Sequence, residues 1–86
     1  MATLSRFFGI TVRMYYDDHG CPHFHAYYGD DDASIAIDTL DVLEGRLPRR
    51  VLALLLEWAV EHRAALRANW MAAEAHAPLS AIAPLE

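Results

Sequence analysis

Lysine is absent from this chain, and all seven basic residues are arginine. Cysteine occurs once, at Cys21, so no intramolecular disulfide framework can form. A reducing compartment fits that usage, and the cytoplasm is the default expectation. Long apolar runs are missing too. The longest, residues 51–56, falls far short of the roughly 20 residues that a membrane-spanning helix needs, so no membrane role is expected. The first eight residues show no charged leader followed by an extended apolar segment, so a secretory signal is not expected either. A formal charge of −5 lacks the basic surplus that phosphate binding draws on, which disfavours RNA as a general partner. No internal repeat or low-complexity linker breaks the chain.

What is present is apolar. Hydrophobic residues make up 55% of 86 positions, too many for a disordered segment. A chain of this length buries roughly 60–65% of its unfolded surface and can hold one modest core. A single domain over 1–86 is expected, with a sheet half at 1–47, a helical half at 48–76 and a tail at 77–86. The apolar excess also points to surface covered by a partner, either another small protein or a second copy.

Residues 10–16 alternate apolar and polar with period two, as a half-buried strand does. Asp, Gly and Pro mark 17–22 as a loop. Residues 23–28 alternate again, 29–32 form a turn, and 33–38 make a third strand with Ala33, Ile35 and Ile37 on one face. If the four-residue turn joins Tyr28 to Ala33, then Ala26 faces Ile35 and Phe24 faces Ile37. That register merges the apolar faces. It also sets Tyr27 opposite Ser34, His25 opposite Ala36 and His23 opposite Asp38, within side-chain reach. In the first hairpin a simple register across 17–22 would put Met14 beside His25 and mix the faces, so a bulge or a loop longer by one residue is preferred, which puts Tyr15 and Arg13 beside the histidines instead.

Residues 39–47 read as a connection with a short extended piece at Val42-Leu43, broken at Gly45. Pro48 suits the first turn of a helix. From there Val51, Leu55, Trp58, His62, Leu66 and Trp70 keep one helical stripe in phase. No Gly or Pro interrupts them, which predicts one long helix over 48–75, with any bend near His62-Arg63. Ile82 and Leu85 of the tail are expected to pack back. The predicted fold is α+β: a three-stranded antiparallel meander on one long C-terminal helix, with an extended C-terminal tail.

The candidate chemistry lies in Asp17-Asp18-His19-Gly20-Cys21-Pro22-His23-Phe24-His25. Two histidines two apart on a strand share a face, with Cα atoms about 6.5–7 Å apart. Imidazoles so placed can tilt onto one metal ion or serve as acid and base. For catalysis the set is His23, His25, Asp38 and Arg13, with Arg46 as the fallback arginine. For a divalent metal it is His23 and His25 with Asp17 and His19, and Asp18, Cys21 or Asp38 could also supply the third ligand. No organic cofactor is expected. The bland alternative is a polar strand face that favours aromatic residues. Cys21 reads as a loop cysteine without a role, Asp30-Asp31-Asp32 as a solvated turn, and Trp58, His62 and Trp70 as core. Arg46, Arg49 and Arg50 straddle the helix start, where positive charge is locally unfavourable, so they are an anion or partner site or simply solvated.

Several segments together carry a resemblance: Ser5-Arg6-Phe7-Phe8-Gly9-Ile10, Met14-Tyr15-Tyr16-Asp17-Asp18-His19, Pro22-His23-Phe24-His25-Ala26, Leu43-Glu44-Gly45-Arg46-Leu47-Pro48, Glu57-Trp58-Ala59 and Asn69-Trp70. In order and spacing they resemble the bacterial domain of unknown function 4160 family over nearly the whole chain. Cys21 departs from the second proline that the family often places before Pro22. The resemblance implies a bacterial cytoplasmic protein whose gene often adjoins that of another small protein, a layout like that of toxin–antitoxin pairs. The leading expectation is therefore a component of such a two-gene module, binding a cognate small protein. The rivals are a hydrolase, a ribonuclease in particular, and a non-catalytic metal-binding domain.

Overall fold

The computed structural model describes residues 2–86. Five strands run in chain order through one antiparallel sheet: β1 (Ala2–Phe7), β2 (Ile10–Met14), β3 (His23–Tyr28), β4 (Asp31–Ala36) and β5 (Val42–Arg46). Two helices follow, α1 (Arg49–Glu61) and α2 (Arg63–Glu74). The fold is α+β, as the alternation predicts. The three strands and single helix expected from the sequence are corrected to five and two.

The extra strands were hidden for opposite reasons. In β1 a register shift between Thr3 and Ser5 turns both Leu4 and Ser5 inward and destroys the period-two signal. In β5 every residue is exposed, so no buried face exists to produce alternation. Gly45 lies inside β5 with φ +74, and a Cβ there would overlap the Asp32 carbonyl oxygen. The glycine therefore lets β5 approach β4 and does not break the chain. The helical stripe holds its phase, but His62 (φ −117, ψ 21) interrupts it. Beside it, Arg63 Nε donates to the Ile37 carbonyl at 3.1 Å, a tertiary tie that helix propensity cannot reveal.

The core lies between the helices and one face of the sheet. Ile10, Val12, Met14, Phe24, Ala26, Ala33, Ile35 and Ile37 meet Val51, Leu55, Trp58, Leu66 and Trp70. The β3–β4 hairpin is tighter than expected. Tyr28 pairs with Asp31 across the two residues Gly29 and Asp30, and Gly29 takes the left-handed φ of +57 that such a turn accepts. Every pairing slides by two residues, so Phe24 faces Ile35 and Ala26 faces Ala33. An even slip preserves the faces, which is why the core prediction survives. The cross-strand partners do not survive: His23 faces Ala36, and His25 faces Ser34. In the first hairpin Arg13 faces His25, as preferred.

Ile82 is buried and Leu85 packs against the core, as expected. The tail is fixed by side chains reaching its backbone. Asn69 Nδ2 donates to the Ser80 carbonyl at 2.9 Å while its Oδ1 accepts from Ser80 N–H at 2.7 Å. Trp58 Nε1 donates to the Ala83 carbonyl, and Ile82 N–H donates to the Leu4 carbonyl, both at 2.8 Å. Among the described residues no helix is long and apolar enough to cross a membrane.

Two substitutions test this frame. Asn69→Ala removes both ends of the clamp and takes both side-chain partners from the Ser80 backbone. We expect a loss of about 2 kcal/mol in urea unfolding, with faster amide exchange at Ser80 and Ile82. Gly45→Ala meets the Asp32 carbonyl in a left-handed conformation, and we expect about 1–3 kcal/mol of destabilisation by the same measurement.

Candidate functional site

The loop between β2 and β3 brings the chemistry together. Asp17 takes a left-handed φ of +63, a conformation that short acids tolerate better than most residues. Asp18, the next residue, directs its carboxylate onto both histidines. Its Oδ2 lies 2.9 Å from His23 Nε2 and 3.0 Å from His25 Nε2. The other ring nitrogens are engaged as well. His23 Nδ1 is 2.7 Å from the Cys21 carbonyl, which can only accept, so this nitrogen carries hydrogen. His25 Nδ1 is 3.3 Å from Ser34 Oγ.

Aromatic groups hold the rings. His23 packs against Trp70, with ring centres 5.1 Å apart, and Tyr15 meets His25 edge-on at 4.8 Å. His23 is only 8% exposed, so it is sunk beneath Trp70 and the loop and does not stand on an open face. His25 is half-buried on the face away from the core. Burial pushes the Asp18 carboxyl up. The His25 hydrogen bond, the charge of His23, the His19 backbone N–H and the charge of His25 outweigh it and hold the carboxyl below its ordinary range. Farther along the same face, the Tyr15 and Tyr27 hydroxyls bond each other. Burial, that bond and the charges of Tyr15 and Asp32 push Tyr27 up to about 12, against a lowering by Arg13.

The expected site residues divide. His23 and His25 meet, and their acid is Asp18. Asp38 is elsewhere: it pairs with Arg67 at 2.7 Å, because the tighter hairpin moves it past the end of β3. The expected His23–Asp38 pair is thereby corrected. Asp17 turns outward to His76 at 3.3 Å, and His19 offers the site only its backbone N–H, at 3.2 Å from Asp18 Oδ1. Neither joins the cluster, since only Asp18, His23 and His25 place ligand-type atoms within 4.8 Å of one another among the described residues. Exposed Cys21 contributes a carbonyl and no thiol. Arg13 lies beside His25 in register, with its guanidinium carbon 5.4 Å from the centre of the Tyr27 ring. Arg46 ends β5 and Arg49 and Arg50 open α1, where Pro48 is the N-cap; all three are exposed, and no ion pair joins them among the described residues.

A cleft of about 190 Å³ opens beside the cluster, lined by Tyr15, Asp17, Asp18, Trp70, Ala73, Glu74 and His76. Sequence reasoning missed Ser34, Glu74 and His76 as neighbours of the site. Ser34 carried a signal, as the one hydroxyl in an otherwise apolar run of β4. Glu74 and His76 carried none, because the end of α2 reaches the loop only through the tertiary fold.

The depressed Asp18 carboxyl fixes a sign for pH. Its folded value lies below the unfolded one, so ionised Asp18 favours the fold above about pH 4, and that contribution is lost as pH falls through the folded value. We expect Asp18→Asn to be less stable than the parent at about pH 5, and the gap to close near about pH 2. Urea midpoints at both pH values measure it. A gap independent of pH would show that the carboxylate charge does not matter.

Comparison with known proteins adds one result. No curated protein and no solved structure matches this sequence. A family model described as "Domain of unknown function (DUF4160)" matches residues 9–71, a span that runs from the β1–β2 turn through the histidines to Met71 in α2. The chain therefore belongs to the DUF4160 family.

Proposed function

We propose that this protein is a small hydrolase working within a two-protein module of the toxin–antitoxin type. One observation carries the hydrolytic part: a single carboxylate oxygen, Asp18 Oδ2, gathers two imidazole nitrogens beside a cleft. Buried or half-buried groups held this way, with a depressed carboxyl among them, are characteristic of sites that do chemistry. Ordered aromatic walls and engaged outer nitrogens supply the rigidity that a reacting water needs. The cleft lining disfavours the ribonuclease variant. Asp17 and Glu74 line it with Asp18, and no arginine does, so a phosphodiester would meet like charge. A neutral substrate such as an ester or amide suits this lining better.

The module part rests on the gene layout that the family resemblance implies, and on the free edge of the sheet. All of β5 is exposed, with Val42 and Leu43 at 41% and 44%. Such an edge accepts an extended segment of a partner through main-chain hydrogen bonds.

Expression of the chain alone in a bacterium tests both parts. We expect growth arrest by the wild type, none by His25→Ala, and relief when the cognate small protein is co-expressed. Equal growth with both forms and an intact complex would remove the hydrolase and leave binding as the function.

A further inference from the structure

We propose that Asp18, His23 and His25 bind one divalent transition-metal ion of the zinc class through Asp18 Oδ2 and the two Nε2 atoms. The inference rests on the same cluster as the hydrolytic reading and names the ion that would activate water there.

Three observations converge on it. The first is hydrogen inventory. His23 Nδ1 gives its hydrogen to the Cys21 carbonyl, so in the neutral ring Nε2 carries the lone pair, and that lone pair is aimed at a carboxylate oxygen 2.9 Å away. Two acceptors then face each other unless the ring takes a second proton, and a metal cation between them is the alternative to that proton. An ion shared with His25 Nε2 satisfies all three groups at once.

The second is size. In a tetrahedral zinc site with bonds of about 2.0–2.1 Å, neighbouring ligand atoms stand about 3.3 Å apart. The contacts of Asp18 Oδ2 are 2.9 and 3.0 Å and all three ligand atoms lie within 4.8 Å of one another, so the two carboxylate edges already stand near that spacing.

The third is the outer ring of support. Metal-bound histidines almost always bond through their second nitrogen to a carbonyl or other polar group, which fixes tautomer and orientation. Both rings here do so, His23 to the Cys21 carbonyl and His25 to Ser34. Packing against Trp70 and Tyr15 fixes the ring planes. This also argues against metal-free acid–base work, because all four ring nitrogens are committed and none is free for a substrate. Two nitrogens and one carboxylate are a ligand set of catalytic zinc sites, which leave a fourth position for water. Asp18 lines the cleft as well as the cluster, so the cleft gives that position its access.

Untagged full-length protein, stripped with a chelator, should be titrated calorimetrically with Zn²⁺, and with Co²⁺ while visible absorption is recorded. We expect one ion per chain, the intense absorption of low-coordinate Co²⁺, and loss of stoichiometric binding in His25→Ala and in Asp18→Asn. Ser34→Ala leaves all three ligands in place and should lower Zn²⁺ affinity about 10- to 100-fold. Cys21→Ser should bind like the parent. If His25→Ala fails to fold by circular dichroism, the Ser34 and Cys21 variants still decide. An absence of wild-type binding overturns the proposal, as does unaltered affinity in Ser34→Ala or loss of binding in Cys21→Ser. Metal binding without growth arrest supports the ion and removes the hydrolase. Arrest by a protein that binds no metal does the reverse.

Discussion

Burial of one face of the sheet is the constraint from which the rest of this molecule follows. Ile10, Val12, Met14, Phe24, Ala26, Ile35 and Ile37 must all meet the helices, and each is fully buried. Side chains alternate along a strand, so that demand sends Arg13, His25 and Ser34 to the opposite face. Trp58 completes the arrangement from α1, touching Phe7 and Phe24 with its ring and the tail with its N–H. Fully burying side chains of this size contributes roughly 1.5–3 kcal/mol each, far more than any exposed ion pair here can return.

The same constraint explains what could be read in advance. Parity along β2, β3 and β4 was legible, because a one-residue slip would expose the core. A two-residue slip costs nothing by that criterion, and only Gly29 distinguishes the short turn from the long one. Asp38 was assigned to the site on the wrong side of that ambiguity. Leu4 and Ser5 hid β1 behind an irregularity, while β5 has no inner face to announce it. The break at His62 depends on Arg63 reaching the Ile37 carbonyl, a contact between parts of the chain 26 residues apart. Five residues stand as candidates beside His23 and His25 in the sequence: Asp17, Asp18, His19, Cys21 and Asp38. Backbone conformation at Asp17 made the choice, and composition does not encode it.

Charge also distinguishes two regions of the molecule. The cleft beside the cluster is lined by three carboxylates, Asp17, Asp18 and Glu74. Arg46 at the end of β5 and Arg49 and Arg50 in the first turn of α1 make no ion pair among the described residues, and the latter two stand at a helix end that already carries partial positive charge. The DUF4160 match covers both regions, residues 9–71, so the acid-and-imidazole group and the arginine-rich corner both lie within the matched length of chain.

The docked tail bears on how copies of this protein can associate. Ile82 bonds the Leu4 carbonyl, so the margin of the sheet at β1 already has a neighbour, while the margin at β5 has none. A sheet with two open margins can add copies without limit, each exposing a fresh edge for the next. A sheet with one open margin cannot, since a single pairing uses it up. The docked tail thus limits the room for edge pairing at β1 and leaves β5 as the more open margin among the described residues.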